Sequence, residues 1–358
     1  MENSKGKEEI YQEIYKRNLP DFMIKNGKRI MTEEEWKQQK EEIADMICRE
    51  LYGYQPFRDC AATGWTERRN EDALGGKAYS ELIYIKTATK YGVYIFPFTL
   101  LIPKGIKKAP LFIRFSFGIG EDMTEEILDH GFAIASVFYQ NIMPDRPEAI
   151  REGIAGVGDP GAVIHWGKIS MWAYGISRMT DYLLTRQDID ADRIALVGHS
   201  RLGKSVLLCG ALDHRYSLIV SAGSGAGGAA LFRGKKGEQI ENLSQHWFCE
   251  NRKKYDFHPE ILPFDQHYLI ALAAPARVYI SSASRDDWAD PKSEFLSCVA
   301  ASPAYEFQGI EGLVFESWPE CDCPMHEGHI AYHVRTGTHY LGRADWLYYM
   351  KYRDRYHI

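Results

Sequence analysis

Continuous apolar runs alternate with segments of helical periodicity over most of the chain after residue 110. Runs that stay apolar, instead of alternating with polar positions, are typical of strands buried on both faces of a parallel sheet. We predict six such strands, at 111–117, 132–139, 193–198, 217–223, 276–284 and 312–318. We predict three helices where apolar residues recur at helical spacing, at 166–185, 201–214 and 343–356. The alternation indicates an α/β protein whose sheet carries helices on both faces.

The stretch before residue 110 has the pattern of antiparallel strands. LIYIKTAT (82–89) and VYIFPFTLLIP (93–103) are joined around Tyr91 and Gly92. Two β-rich runs separated by a short turn predict a hairpin, which we place at one edge of the sheet. Three long segments without periodicity are predicted to be loops, at 141–165, 224–262 and 285–310. Loops of that length on a rigid sheet usually carry function.

Residues 1–50 are charged and helical in pattern. Thr32 and Glu35 have the spacing of a capping box. Three apolar residues follow at helical spacing, Trp36, Ile43 and Ile47. We predict that this helical segment packs on the core, and that residues 51–358 form a single α/β domain, since no internal repeat or low-complexity linker divides them.

Composition limits the classes of partner. The 358 residues are 45% hydrophobic and 13% aromatic, which is enough apolar material for one large α/β domain. A formal net charge of −6 leaves no basic surplus, so neither nucleic acid nor an anionic membrane is an expected partner. No window approaches 18 consecutive apolar residues. A small molecule is the expected partner, and no pattern in the sequence specifies an oligomeric state.

The N-terminal stretch MENSKGKEEIYQEIYKRN is too polar for the apolar core of a signal peptide. The chain as it stands is therefore expected to be cytoplasmic, whereas a chain trimmed of a signal would be a secreted protein. Seven cysteines, an odd number without periodic spacing, argue against a disulfide framework and indicate reduced thiols.

Residues 197–205, VGHSRLGKS, place Ser200 between a predicted buried strand and a predicted helix. A strand, a sharp turn and a helix form the context of the nucleophile elbow of α/β hydrolases. The spacing is G-x-S-x-x-G, because Gly203 comes one residue later than in the usual G-x-S-x-G pattern. The alternative is that Ser200 caps a core helix and takes no part in chemistry.

Two basic residues follow Ser200 at once. The start of a helix presents N–H groups and a partial positive charge, which would stabilise an oxyanion at Ser200. Arg201 would supply the adjacent N–H and its guanidinium. Lys204 lies one turn on, where an ammonium can reach the hydroxyls or carboxyl oxygens of a substrate. The alternative is that both are solvated basic side chains.

A nucleophilic serine needs an acid and a histidine, and the order expected for this fold is serine, acid, histidine. His339 follows the last predicted strand and precedes the last predicted helix, which is the position of the base. Rival histidines lie in the same polar stretch, His326, His329 and His333. Candidate acids lie in SRDDWADP, after the strand at 276–284, at Asp286, Asp287 and Asp290.

A competing interpretation is a zinc site in CDCPMHEGH, which holds Cys321, Cys323, His326 and His329 within nine residues. These ligands are crowded, with one residue between the cysteines and no second pair elsewhere. We therefore expect no metal and no organic cofactor.

The chain contains seven motifs in a distinctive order, WGKISMWAYGISRMTDYL, DIDADRIALV, GHSRLGKS, SGAGGAAL, LPFDQHYLIALAAPARVYI, DDWADPKSEF and HVRTGTHYLGRADW. Together they resemble the glucuronoyl esterases of carbohydrate esterase family 15, over about residues 160–350. The resemblance implies the α/β-hydrolase fold, a three-layer αβα sandwich around a mostly parallel sheet with antiparallel N-terminal strands. It also implies hydrolysis of small-molecule or oligosaccharide esters of (4-O-methyl-)glucuronic acid, such as those that link xylan side chains to lignin alcohols.

The resemblance implies roles for individual residues. Ser200 matches the nucleophile, His339 the general base and Arg201 the oxyanion-stabilising arginine. Lys204, which is characteristic of that group, matches the lysine that binds sugar hydroxyls.

Two more residues match the uronate pocket of the family. Glu238 resembles a glutamate that contacts the sugar, and Trp288 resembles the tryptophan that lines the pocket. The alternatives are a surface carboxylate for Glu238 and a core aromatic for Trp288.

The position of the acid departs from the pattern of many members. They carry it just before the S-G-A-G-G turn, where this chain has Gly223. Others place it at a D-x-W motif after the next strand, which Asp286-Asp287-Trp288 reproduces. The resemblance thus implies Asp286, with Asp287 as its rival. Two alternatives to a glucuronoyl esterase are an acetylxylan or other small carbohydrate esterase on the same scaffold, and a catalytically weak uronate-binding homologue.

Overall fold

The computed structural model describes residues 2–55, 62–118, 123–161 and 165–358. Within these residues, nine strands form one mixed sheet, and a separate hairpin of two short strands lies near the N-terminus. In chain order the strands are β1 (Ile24–Lys25), β2 (Lys28–Arg29), β3 (Thr63–Ala73), β4 (Ala78–Thr89), β5 (Gly92–Pro103), β6 (Ala109–Ser116), β7 (Ala133–Phe138), β8 (Ile189–His199), β9 (Leu218–Ala222), β10 (Arg277–Ala283) and β11 (Ile330–Arg335).

Ten α-helices accompany these strands in the described ranges. They are α1 (Glu2–Lys16), α2 (Glu33–Ile47), α3 (Thr124–Asp129), α4 (Tyr139–Ile142), α5 (Lys168–Leu183), α6 (Arg201–Leu212), α7 (His267–Ala273), α8 (Pro291–Ala301), α9 (Pro303–Glu306) and α10 (Arg343–Tyr356). The three helices predicted from periodicity correspond to α5, α6 and α10.

Six neighbouring strands of the sheet are parallel, in the order β11-β10-β9-β8-β6-β7. Antiparallel strands β5, β4 and β3 complete the sheet on the β7 side. The hairpin of β4 and β5 closes at Thr89 and Gly92, as predicted. The sequence pattern does not predict β3, because nearly all of its side chains are exposed and most are polar.

The two faces of the sheet enter two separate cores. Leu196 and Ile219 belong to the core shared with α5, α6 and α7, whereas Ala195, Val197 and Val220 belong to the core shared with α3 and α10. Successive side chains of a strand face opposite sides, so a strand that is apolar at every position needs a cover on each side. The predicted three-layer αβα arrangement is confirmed.

The predicted strand at 312–318 is wrong. Leu313 makes a single isolated bridge to β11, and β11 itself is the last strand of the sheet. The sequence pattern does not predict β11, because the polar residues His333 and Arg335 interrupt its apolar run. Both are buried because Asp345 of α10 accepts hydrogen bonds from His333 Nε2 (2.8 Å) and Arg335 Nε (3.0 Å). Periodicity detects apolar burial and not the burial of paired polar groups.

The predicted loop at 285–310 is also wrong, since it contains α8 and α9. Asp290 is the N-cap of α8, and its Oδ1 accepts a hydrogen bond from the backbone N–H of Ser293 (3.2 Å). Pro291 occupies the first helical position. An Asp cap followed by Pro is a recognised start of a helix. The motif DPKSEF therefore indicates a helix start that hydrophobic periodicity does not detect.

The other two predicted loops are largely irregular. Beyond the end of α4, the described part of 141–165 contains the short 3-10 turn Gly153–Val157, and residues 162–164 lie outside the described residues. The segment 224–262 contains several 3-10 turns, of which Glu250–Tyr255 is the longest that is described.

The N-terminal helices pack on the main core. Ile10 of α1 and Trp36 of α2 are buried in the same cluster as residues of the sheet. The capping box of α2 is confirmed: Thr32 Oγ1 accepts from Glu35 N (3.2 Å), and the Glu35 carboxylate accepts from Thr32 N (3.0 Å). The burial of Ile10 and Trp36 in this cluster joins the N-terminal helices to the main core.

Cys60 lies outside the described residues, and the six other cysteines form no disulfide. Among the helices of the described ranges, none combines the length and the apolar character needed to cross a membrane.

We predict that Asp345 contributes strongly to stability, because it binds two residues of β11 and also accepts from Gly342 N at the start of α10 (2.8 Å). Asp345→Asn would leave the buried Arg335 guanidinium without its charge partner. The free energy of unfolding, measured by urea denaturation, should fall by about 3 kcal/mol. Asp354→Asn, on the exposed side of α10, is the matched control and should change it by less than about 0.5 kcal/mol. Equal effects of the two substitutions would contradict this role.

Candidate active site

Ser200 occupies a sharp turn between β8 and α6. Its backbone has φ 57° and ψ −129°, and a positive φ costs a non-glycine residue about 1–3 kcal/mol. The turn is held because Ser200 N donates to Ala222 O (2.8 Å) and Ser200 O accepts from Lys204 N (3.1 Å). The side chain is half-buried and makes no capping hydrogen bond to α6. The strand-turn-helix context of an elbow is therefore present, and the helix-cap alternative has no supporting contact.

Two glycines allow β8 and α6 to approach closely. A Cβ atom on Gly198 would lie 2.4 Å from Leu202 O, and one on Gly203 would lie 3.1 Å from Gly198 O. The end of the strand and the first turn of the helix are thus in backbone contact. The later glycine of G-x-S-x-x-G meets this steric need at position 203.

His339 and Asp286 form a hydrogen-bonded pair beyond the carboxyl ends of β11 and β10. His339 Nδ1 donates to Asp286 Oδ2 at 2.5 Å. Because an ionised carboxylate only accepts, Nδ1 carries the proton, and Nε2 is the basic nitrogen of the neutral ring. Burial raises the pKa of Asp286, but the hydrogen bond from His339 and the electrostatic interaction with it, together with Ala289 N–H, hold that pKa below its ordinary value. The carboxylate therefore stays ionised beside the imidazole.

Asp286 is the candidate acid that the structure brings to His339. Asp287 is exposed, and Asp290 caps α8. A Cβ atom on Gly223, whose φ is +49°, would lie 3.4 Å from His339 Nδ1 and 3.5 Å from Asp286 Oδ2. A side chain at position 223 would thus approach the imidazole nitrogen that Asp286 already occupies. The carboxylate that position 223 lacks is supplied by Asp286, from the segment that follows the next strand, β10.

The rival histidines lie away from this pair. His326 Nε2 and His333 Nδ1 both bond the hydroxyl of Tyr279, at 2.7 and 2.9 Å, in the core on the α10 side of the sheet. His329 is only partly buried, and its backbone N–H and carbonyl bond Glu311 and β10. These three histidines lie in the same stretch of sequence as His339, but their contacts are with the core and with neighbouring backbone instead of with Asp286.

Arg201 is the first residue of α6, beside Ser200, and its guanidinium is held in place by three groups. Asp145 Oδ2 accepts from its Nη1 at 2.5 Å. The rings of Trp247 and Phe117 lie 4.8 and 5.5 Å from the guanidinium carbon, measured to their centroids. A guanidinium has five N–H donors and this ion pair uses one, so Arg201 retains donors for another partner.

Asp145 is a residue that the sequence interpretation missed. Its Oδ1 accepts from His246 Nε2 and from Trp247 Nε1, each at 2.8 Å, in addition to the bond from Arg201. Burial raises the pKa of Asp145, but these three donors outweigh burial and lower it to about 2. One indication of this residue is present in the sequence: Asp145 lies in the segment 141–165, which is predicted to be a long loop of the kind that carries function.

Lys204, in the first turn of α6, and Glu238 form a buried ion pair. Lys204 Nζ donates to Glu238 Oε2 at 2.8 Å and also to the carbonyl of Ala226, and Glu238 Oε2 accepts from Ala226 N at 3.1 Å. Lys204 is only 2% exposed. Neither the solvated-lysine alternative nor the surface-carboxylate alternative fits these environments.

Trp288 is 56% exposed, so it is not a core aromatic. Its carbonyl accepts from Glu238 N (2.9 Å) and from Lys235 Nζ (3.0 Å), which fixes the backbone while the ring stays accessible. Because Trp288 follows Asp286 by two residues, this contact brings an exposed ring, the Lys204–Glu238 pair and the Asp286–His339 pair into one region.

The candidate zinc ligands do not converge. Cys321 and Cys323 are exposed, whereas His326 is buried against Tyr279. In the part of the chain that the structure describes, no group of three or more histidine, cysteine, aspartate or glutamate side chains is arranged to hold a metal ion.

This arrangement has the chemistry of acyl transfer. It presents a hydroxyl on a strained turn, an imidazole whose tautomer is set by a buried carboxylate, and a helix N-terminus that begins with an arginine at the residue after the serine. Acyl transfer by a serine requires parts of these kinds: a nucleophile, a base with its orienting acid, and an anion site.

Several known proteins with similar sequences and structures are named as esterases. A family model described as fungal glucuronyl esterase matches residues 161–309. Carbohydrate esterase MZ0003, from an unknown prokaryotic organism, is 30% identical across 96% of this chain and 90% of its own length. The 4-O-methyl-glucuronoyl methylesterase of Hypocrea jecorina is 26% identical across 81% of this chain, which spans 62% of that enzyme.

A solved glucuronoyl esterase from Solibacter usitatus has a TM-score of 0.86 and 32% identity to this chain, with 94% of this chain and 97% of the other covered. This similarity confirms the expected α/β-hydrolase fold.

We predict that Asp145 stabilises the fold in a pH-dependent way. Its pKa is about 2 in the folded state and near the ordinary 3.8 in the unfolded state, so its ionic contribution is complete above pH 4 and declines as the pH falls toward 2. This shift corresponds to about 2 kcal/mol, roughly half of which is lost by pH 3. The difference in unfolding free energy between wild type and Asp145→Asn, from urea denaturation, should therefore shrink between pH 6 and pH 3.

Asp192→Asn, on the exposed start of β8, is the control for this series. If the difference in unfolding free energy between wild type and Asp145→Asn stayed constant with pH, or increased in acid, it would contradict the assigned ionisation.

Proposed function

Because the chain belongs to the glucuronoyl esterases of carbohydrate esterase family 15, we propose that it hydrolyses esters of 4-O-methyl-glucuronic acid through an acyl-enzyme on Ser200. The observation that carries the proposal is the Asp286–His339 pair at the edge of the sheet where the Ser200 elbow lies. The relative from Hypocrea jecorina is named for this activity.

The first step forms the acyl-enzyme. His339 Nε2 takes the proton of the Ser200 hydroxyl as its oxygen attacks the ester carbonyl carbon. The ring becomes an imidazolium, and the buried Asp286 carboxylate stabilises that charge through Nδ1–H. The electron pair of the carbonyl bond moves to the carbonyl oxygen, which becomes an oxyanion.

The oxyanion is stabilised by the start of α6 and by Arg201. The first N–H groups of a helix lack partners within the helix and carry a partial positive charge. The Arg201 guanidinium adds a full charge, and Asp145 with the two aromatic rings keeps it in one orientation. Donors fixed before the reaction need no reorganisation when the charge develops, and one such donor is worth about 3 kcal/mol.

The second step releases both products. His339 gives its proton to the leaving alcohol oxygen as the tetrahedral intermediate collapses. Water then attacks the acyl-enzyme, its proton passes to His339 and on to the Ser200 oxygen, and the free uronic acid leaves. The His339 side chain is 41% exposed, so the alcohol that it protonates leaves at the solvent boundary. A solvent-facing exit suits leaving alcohols of different sizes, from methanol to a lignin alcohol.

The uronate ring is assigned to the region of Lys204, Glu238 and Trp288. An ammonium has three N–H donors, and Lys204 gives two to Glu238 and Ala226, which leaves one for a sugar hydroxyl. Trp288 offers an exposed ring for the apolar face of the sugar. A buried ion pair next to an aromatic surface favours a polyhydroxylated acyl group over an acetyl group, which has no hydroxyls to bind.

The test of the proposal is hydrolysis of methyl and benzyl glucuronate by wild type and Ser200→Ala. We expect kcat/KM to fall by at least about 10,000-fold in Ser200→Ala, because the covalent route is lost. Ser217→Ala removes a half-buried hydroxyl at the residue directly before β9 and is the matched control, with activity within about twofold of wild type. Undiminished turnover by Ser200→Ala, or preference for acetylated sugars over the uronate esters, would overturn the proposal.

We predict different outcomes for the neighbouring acids. Asp286→Asn should lower kcat by about 1,000-fold or more, since an amide disfavours the tautomer with a proton on Nδ1. Asp287→Asn, at the adjacent exposed position, should leave kcat within about threefold of wild type. Steady-state kinetics on methyl glucuronate measures both, and the reverse ranking would assign the orienting role to Asp287.

A further inference from the structure

The ring of His199 packs against the His339 imidazole, and the proposed reaction assigns it no role. It is the last residue of β8 and directly precedes Ser200. The centroid of its ring is 4.4 Å from the centroid of the His339 ring, and the two planes are tilted by 40°. This is the shortest ring-to-ring separation among the aromatic pairs of the described residues, so the two imidazoles are in direct contact.

The His339 ring needs such a contact because a single hydrogen bond does not fix its orientation. The bond from Nδ1 to Asp286 restrains one ring atom, and combined rotations about χ1 and χ2 still let the ring plane pivot. The side chain is 41% exposed and leaves the chain in the irregular segment after β11, so solvent borders part of it. A neighbour packed on the ring restricts the pivot and keeps Nε2 turned to one side.

His199 is itself held firmly. Its Nδ1 donates to Ala222 O at 3.2 Å, and the same carbonyl accepts the Ser200 N–H at 2.8 Å. The ring of Phe117 meets it edge-on, with 6.5 Å between centroids. One carbonyl therefore sets the position of the His199 ring and of the elbow backbone together.

Gly223 provides the space for this stack. A Cβ atom there would lie 3.4 Å from His199 Cε1 and 3.4 Å from His339 Nδ1, at the junction of the two rings. A branch from such a Cβ would compete with both imidazoles. The glycine leaves the rings in contact with each other.

His199 does not compete with His339 for the proton of Ser200. Burial, and then the charge of the adjacent His339, lower the pKa of His199 to about 4, against weaker opposing effects of the Ala222 carbonyl, Asp345 and Asp286. The partner of its Nδ1 is a neutral carbonyl, whereas His339 has a carboxylate. A neutral ring can pack beside an imidazolium without charge repulsion.

We propose that His199 is a positioning residue for the esterase reaction, whose ring packs on the His339 imidazole and holds it in the orientation that directs Nε2 to Ser200. The inference rests on the proposed function of Ser200 and His339. It assigns the contact between the rings, and not the hydrogen bond of His199, to catalysis.

Two substitutions separate these contributions. His199→Phe keeps a ring and loses the hydrogen bond, and His199→Gln keeps a donor for Ala222 O and loses the ring. With methyl glucuronate, we expect kcat of His199→Gln to fall by about 10- to 100-fold with KM within about twofold, because small displacements of a catalytic group cost that much. His199→Phe should retain kcat within about threefold. His258→Gln, at an exposed histidine, is the control.

A second measurement follows the orientation of the ring without turnover. The proton between His339 Nδ1 and Asp286 should give a low-field NMR resonance in wild type and His199→Phe, and that resonance should broaden or vanish in His199→Gln. Wild-type kcat and resonance in His199→Gln, or equal losses in both variants, would overturn the inference. A wild type that shows the resonance but does not hydrolyse the ester would instead overturn the proposed function. Thermal unfolding checks that each variant is folded.

Discussion

The parallel pairing of β8, β9, β10 and β11 is the constraint on which the site depends. His199 pairs with Ala222, Ala222 with Ser281, and Ser281 with His333, so one row of backbone pairs crosses four strands. Parallel strands send their following segments to one edge of the sheet. This register aligns the carboxyl ends of the four strands. It thereby brings the elbow and the segments after β10 and β11 together.

Buried carboxylates then fix the charged and titratable groups at this edge. Asp145 holds Arg201, Glu238 holds Lys204, and Asp286 holds His339. In each pair the acid comes from a segment far along the chain from its partner, so the side chains are ordered when the chain folds and not when substrate arrives. The conformational entropy of these long side chains is lost during folding, which leaves more of the binding free energy for the reacting atoms.

The same kind of pairing explains where sequence patterns misled. β11 contains a histidine and an arginine that Asp345 makes compatible with burial, and α8 begins at Asp290 in a segment with weak periodicity. Hydrophobic periodicity weighs each residue by its own polarity. The cost of burying a polar group depends instead on whether a partner is present, and that partner is elsewhere in the sequence.

The sequence by itself determined the features that depend on neighbouring residues. These are the parallel strands with apolar runs, the helices α5, α6 and α10, the capping box of α2, and the strand-turn-helix context of Ser200. Only the tertiary structure decided that Asp286 rather than Asp287 meets His339, that Asp145 holds Arg201, and that the ring of His199 packs on that of His339. Those contacts join distant segments through strand order and register, and no local pattern encodes either.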